Sequence, residues 1–233
     1  MAAITESRPF HPAWLAGMLE CAGSVELGEN EDKERGNVYY RPRIRIGDNS
    51  RERMLSLQTI VGGNIYRKGN TWLWVVNGKK ALEIAERIKQ FTLKRQSILL
   101  AFQNWENSDD RDERSEIVQA FEKESDTNQI PPQEYTPLIT NPYFLAGVVD
   151  ARGIFTYFRK FYGEGEKAHD IVTPFLQIIS ENVSLLDSIA INYKGKSSKH
   201  NRSWTWRGNS SESQRLVGVV AQYLLLRPNE VWK

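Results

Sequence analysis

The sequence predicts an α/β protein of the α+β kind, built from two copies of one plan: helix, strand, strand, helix, strand, strand, helix. Three observations predict it. The nonapeptide Leu15-Ala-Gly-Met-Leu-Glu-Cys-Ala-Gly23 returns 130 positions later as Leu145-Ala-Gly-Val-Val-Asp-Ala-Arg-Gly153. Further along, Pro42 and Pro174, Gly63 and Gly195, Trp72 and Trp204, Trp74 and Trp206, and Asn77 and Asn209 all stand 132 apart. Apolar spacing also switches between helical and strand periods in the same order in both halves. The step from 130 to 132 puts two extra residues between the first two strands of the second copy.

The first repeat reads as a short helix. His11-Pro12 opens it and Asn141-Pro142 opens its copy, proline suiting the first helical position and asparagine the cap. Ala13, Gly17 and Cys21 share one face, as do Gly147 and Ala151, and small residues on facing helices let backbones approach closely. Gly23 and Gly153 are expected to end the helices at positive φ. A strand follows from Ser24. A charged connection over 29–37 leads to a second strand, Val38 to Gly47, in which Arg41, Arg43 and Arg45 alternate with Pro42, Ile44 and Ile46. Three guanidinium groups on one sheet face repel unless something anionic lies opposite, so the pattern points to an anionic ligand; a solvated sheet face is the plain alternative.

Ser50 to Ile60 has helical spacing and stops at Gly62-Gly63, with Asp48 placed to cap it. Asn64 to Lys68 and Thr71 to Val76 read as a hairpin whose Trp72 and Trp74 face a core. Lys79 to Phe91 and Leu93 to Trp105 read as helices, and an acidic helix is expected over Asp110 to Glu124. Asp126 to Thr140 carries Pro131, Pro132 and Pro137 with little periodicity and reads as a linker, on which Tyr135, Leu138 and Ile139 can still pack. The expected division is 1–106, a connection over 107–140, and 141–233.

Composition is that of a globular chain, with 40% apolar and 26% charged residues in 233. No stretch approaches a membrane span, and the lone Cys21 excludes a disulfide framework, which fits an intracellular, reducing compartment. Net charge is only +2, but residues 106–126 hold nine acids against three bases, net −6, which leaves +8 on the remainder. His11, His169 and His200 share no metal-ligand spacing, and no phosphate-cradling glycine loop or nucleophile elbow is present.

On its paired motifs the chain resembles the LAGLIDADG homing endonucleases in their single-chain, two-motif form. The resemblance implies two pseudo-symmetric domains with saddle-shaped antiparallel sheets, set side by side by the motif helices over a long, imperfectly symmetric DNA site. It implies a monomer and an intron-associated origin. It also implies that the eighth residue of each motif is an acid holding metal ions at the scissile phosphates. Those positions are Ala22 and Arg152. The sixth-position acids Glu20 and Asp150 remain, and are either displaced catalytic carboxylates or acids bonded to local backbone. Basic residues near the end of the last helix, Lys94 or Arg95 and Arg227, match the family's pattern.

The function expected is therefore sequence-specific binding of double-stranded DNA without efficient cleavage. The expected contacts are Arg41, Arg43, Arg45 and Lys68 in the first half, and Arg152, Thr173, Phe175, Gln177, Lys196, Lys199, Arg202 and Arg207 in the second. Arginine bonds guanine bidentately, glutamine bonds adenine, and hairpin lysines meet phosphates. The alternatives are a maturase or other binder of structured RNA, which would bind through loops because A-form RNA hides its major groove, an active nuclease using Glu20 and Asp150 with Mg2+, and a protein-interaction scaffold. No metal site is expected if cutting is lost.

Overall fold

A computed structural model describes residues 10–32, 37–107, 114, 116–117, 130–162, 169–201 and 203–227. Helix α1 (Pro12–Ala22) enters β1 (Gly23–Asp32), which pairs antiparallel with β2 (Asn37–Asp48). Helix α2 (Arg51–Val61), the hairpin β3 (Asn64–Lys68) and β4 (Thr71–Asn77), then α3 (Lys79–Ile88) and α4 (Gln96–Asn107) complete the first half. The second half repeats the plan with α5 (Pro142–Arg152), β5 (Gly153–Tyr162), β6 (His169–Ser180), α6 (Val183–Tyr193), β7 (Lys196–His200), β8 (Ser203–Gly208) and α7 (Ser210–Val220). Each half holds one four-stranded antiparallel sheet, ordered β1-β2-β4-β3 and β5-β6-β8-β7.

The duplication reaches individual hydrogen bonds. Trp74 and Trp206 are both fully buried, and each indole N–H donates back across its hairpin, to the Gly62 carbonyl at 2.6 Å and the Lys194 carbonyl at 2.8 Å. Gly62 at φ 80° and Lys194 at φ 64° adopt the same left-handed turn, which glycine takes freely and lysine only under constraint. Trp72 is half-buried, with the Arg51 guanidinium 5.4 Å and that of Arg67 5.8 Å from its ring.

Helices α1 and α5 pack across the centre of the molecule. A Cβ on Gly17 would sit 2.0 Å from the Phe144 carbonyl oxygen, and one on Gly147 would sit 1.9 Å from that of Trp14. The two helices touch backbone to backbone there, which only glycine permits. The glycines that follow these helices serve another purpose than expected. Gly23 (φ −97°, ψ 169°) and Gly153 (φ −67°, ψ 140°) are extended, not left-handed. They are small because a Cβ would strike Leu19 at 2.4 Å and the Val149 carbonyl at 2.6 Å, where each strand folds back against its helix.

Two further expectations change. Gln96, not Leu93, begins α4, and the preceding helix tightens to a 3-10 turn over Lys89–Phe91. The proline-containing connection is ordered over Pro132–Tyr135 and Thr136–Ile139, with Tyr135, Leu138 and Ile139 buried. The acidic segment at 110–124 lies outside the described residues apart from Arg114, Glu116 and Ile117. Among the described residues no helix is long and apolar enough to cross a membrane.

Candidate nucleic-acid interface

Strand register decides which side chains share a face. One face of each sheet is covered by helices; the other is open. In the first half, Arg45 stands opposite Ser24, Arg43 opposite Glu26 and Arg41 opposite Gly28, all on the open face, while Val25, Ile44 and Ile46 point into the core. The counter-charge for the arginines is internal. Glu26 lies between Arg43 and Arg45, paired with Arg43 at 3.4 Å and also with Arg45. Arg43 Nε donates to Asn77 Oδ1 at 2.9 Å and Arg45 Nε to Ser24 Oγ at 3.4 Å. Gly28 completes the arrangement, because a Cβ there would meet the Arg43 guanidinium at 2.4 Å. The arginine row is thus a braced comb, with Arg41 exposed at its outer end.

The second open face differs in character. Thr173, Phe175 and Gln177 occupy successive same-face positions of β6, and Gln177 stands opposite Ile154 of β5 and Arg207 of β8. Lys196 pairs with Arg207 and joins that face, as does Lys68 in the first half through its pairing with Thr71. Lys199 does not. It pairs with Trp204, whose period-two neighbour Trp206 is in the core, so Lys199 belongs to the helix-covered side at the hairpin tip. Arg202 lies outside the described residues.

The sixth-position acids are buried and fully engaged. Glu20 Oε1 accepts from the Leu93 and Arg95 amides at 3.0 and 3.2 Å. Its Oε2 accepts from the Tyr135 hydroxyl at 2.8 Å and Asn182 Nδ2 at 3.3 Å. Asp150 accepts from the Trp14 indole at 2.8 Å and from the Leu225 and Leu226 amides at 2.7 and 3.2 Å. The pattern is one device used twice: Leu93 and Leu225 are 132 apart, so each acid holds the segment that follows the equivalent helix of its own half, α3 or α7. Burial lifts Asp150 from its ordinary 3.8 to about 6, against the pull of the Leu225 amide, the Trp14 indole and the Leu226 amide. Burial likewise raises Glu20, against Tyr135 and Arg95. Glu20 thus accepts four hydrogen bonds from within the protein and Asp150 three.

Between the two open faces, where α1 and α5 end, lies a cavity of about 740 Å³. Ser24, Gly47, Lys68 and Leu73 of the first sheet and Ile154, Ile179 and Ser203 of the second line it. Seven cationic side chains reach it, Arg45, Arg53, Lys68, Lys94, Arg95, Arg152 and Arg227, against the carboxylates of Glu20, Asp48 and Glu181. Glu20 is spent as described. Asp48 is buried, accepts from the Ser50 amide at 2.5 Å and holds the Arg53 guanidinium at 2.5 and 3.1 Å; Ser50 itself caps α2. Cys21 donates to the Ile179 carbonyl at 3.7 Å, and burial pushes its thiol up to about 12.

The donor set does not fit a divalent cation. Ala22 offers no ligand and Arg152 opposes one. Among the described residues, no group of three or more His, Cys, Asp or Glu side chains is placed to hold a metal ion. The arrangement suits an anion instead.

Comparison of the sequence with protein-family models and with curated proteins finds no match. Comparison of structures does. The chain is similar to the homing endonuclease I-SmaMI bound to cleaved DNA, with a TM-score of 0.63 at 16% identity over 97% of this chain and 88% of that one. It is similar to I-AabMI bound to uncleaved DNA (TM-score 0.62, 14% identity, 91% of this chain and 83% of that one). A third, I-GzeII in complex with its DNA target, gives 0.60 at 14% identity over 92% and 84%. The chain has the LAGLIDADG homing-endonuclease fold. Within that fold its two motif helices end in Ala22 and Arg152. Glu26, Gly28, Tyr135 and Asn182 carry no sequence signal of a site role, and only strand register and tertiary contact reveal their parts.

Proposed function

We propose that the chain binds double-stranded DNA in a sequence-specific manner across its two open sheet faces and does not cleave it efficiently. The observation that carries this is the arginine comb. Arg43 and Arg45 are held by Glu26, Asn77 and Ser24 at a spacing of two strand residues, so their forks are pre-positioned and do not have to be ordered on binding. A two-stranded ribbon fits the major groove, and arginine there bonds guanine O6 and N7. The three solved structures compared above are DNA complexes of the same fold, and they support duplex DNA as the ligand. The missing acids at the helix ends support loss of cutting. Two different open faces imply a long site with unlike halves.

Selection from a randomised duplex library, followed by incubation of the enriched site with Mg2+ or Mn2+, tests both parts. A long asymmetric site, enriched and left uncut, is expected. Cutting would overturn the second part, and enrichment of structured RNA in place of duplex DNA would overturn the first.

A further inference from the structure

We infer that the basin between the two motif-helix ends is a phosphate site built from protein cations, and that it holds the DNA backbone without a divalent metal ion. The inference rests on the duplex-binding reading above and deepens it. A duplex lying on both open faces must pass the basin, because residues of both faces line it. Its lining is cationic by seven side chains to three carboxylates, and two of those carboxylates are already answered from within the protein. Only Glu181 remains as an exposed acid at the rim.

Two cations there await a partner. Arg152, half-buried at the end of α5, and Lys68, exposed at the end of β3, make no hydrogen bond or ion pair with any described residue. Arg95 lines the basin beside them and places one terminal nitrogen on the Gly23 carbonyl at 3.0 Å. The pseudo-symmetric counterpart of Arg152 is Ala22, whose methyl group leaves the opposite side of the basin open. A guanidinium bonds phosphate bidentately and carries the charge compensation with it, so no free cation is required.

The test measures affinity for the selected duplex at a series of salt concentrations, in EDTA and in Mg2+. Wild type and the variants Arg152→Gln, Lys68→Gln and their double are compared, with circular dichroism as a folding control. Lys68 is exposed, so its variant keeps the test valid if Arg152→Gln folds poorly. Affinity in EDTA within about twofold of that in Mg2+ is expected. Each substitution should flatten the salt slope by about 0.9, the value of one neutralised phosphate. Inorganic tripolyphosphate, titrated by calorimetry, should bind wild type and lose binding in the double variant. Loss of DNA binding in EDTA, or a double variant with wild-type slope and tripolyphosphate binding, would overturn the inference while leaving duplex recognition standing. If no duplex binds at all, the functional reading fails, and the tripolyphosphate titration still decides the basin.

Discussion

At Gly17 and Gly147 a single hydrogen atom sets how closely the two halves approach. Each faces a carbonyl oxygen of the opposite helix at a distance no Cβ tolerates. Gly17→Ala is therefore expected to destabilise the fold by about 3 kcal/mol or more, because overpacking here forces two backbones apart. Equilibrium urea unfolding measures it, and a loss below about 1 kcal/mol would show that the helices can slide. Asp150 gives a pH signature at the same scale. Its folded carboxyl titrates at about 6 rather than 3.8, so between those values the unfolded chain releases a proton that the folded chain keeps. Its contribution to stability is then full below about 3.8 and is lost as pH rises to about 6, a change of roughly 3 kcal/mol at ~1.4 per unit. Unfolding free energies of wild type and Asp150→Asn across pH 3.5 to 7 should diverge in that window, and parallel curves would contradict the assignment.

At the scale of elements, β1 and the connection before α5 carry the most information. Glu26 braces two arginines, so Glu26→Gln should loosen the comb and add net positive charge. The expected outcome is stronger binding to random duplex, and a specificity ratio against the selected site reduced by about tenfold, the equivalent of ~1.4 kcal/mol. Competition binding reads it, and an unchanged ratio would mean that Glu26 does not position the comb. Tyr135→Phe removes the hydroxyl that joins Glu20 to Asn182, which also donates to it at 2.8 Å. Taking one hydrogen bond from each of two buried polar groups should cost about 1–3 kcal/mol in thermal or chemical denaturation. Neither role could be read from the chain alone. Order and type of elements were legible because the periods repeat at constant offset. Pairing register is not written in any one strand, so the sequence showed three repelling arginines and hid the carboxylate opposite them. Tyr135 sits in a proline-rich stretch without period, where nothing local separates a docked residue from a solvated one. Gly23 and Gly153 misled for a related reason: a glycine marks need for φ or need for space, and only the neighbouring Leu19 and Val149 say which.

At the scale of the molecule, two sheets with one topology present different chemistry. Arg41, Arg43 and Arg45 favour guanine, whereas Gln177, Phe175 and Ile154 favour adenine and the thymine methyl group. Systematic base substitution through the enriched site should show G·C preference under β1–β4 and A·T preference under β5–β8, at about 1–3 kcal/mol per disrupted position. Equal preferences in both halves would contradict this.

The anchoring of the sixth-position acids makes the halves interdependent in a way their likeness conceals. Asp150 takes its side-chain donor from Trp14, in the other half; at the position equivalent to Trp14, 130 residues on, stands Phe144, which has no donor to return. Glu20 is completed instead by Tyr135 and Asn182. A chimaera that grafts a foreign first half onto this second half must therefore bring an indole at position 14. One that replaces the second half must bring an amide at position 182 and keep the connecting tyrosine. Exchange of halves is constrained from the centre outward, before any base is read.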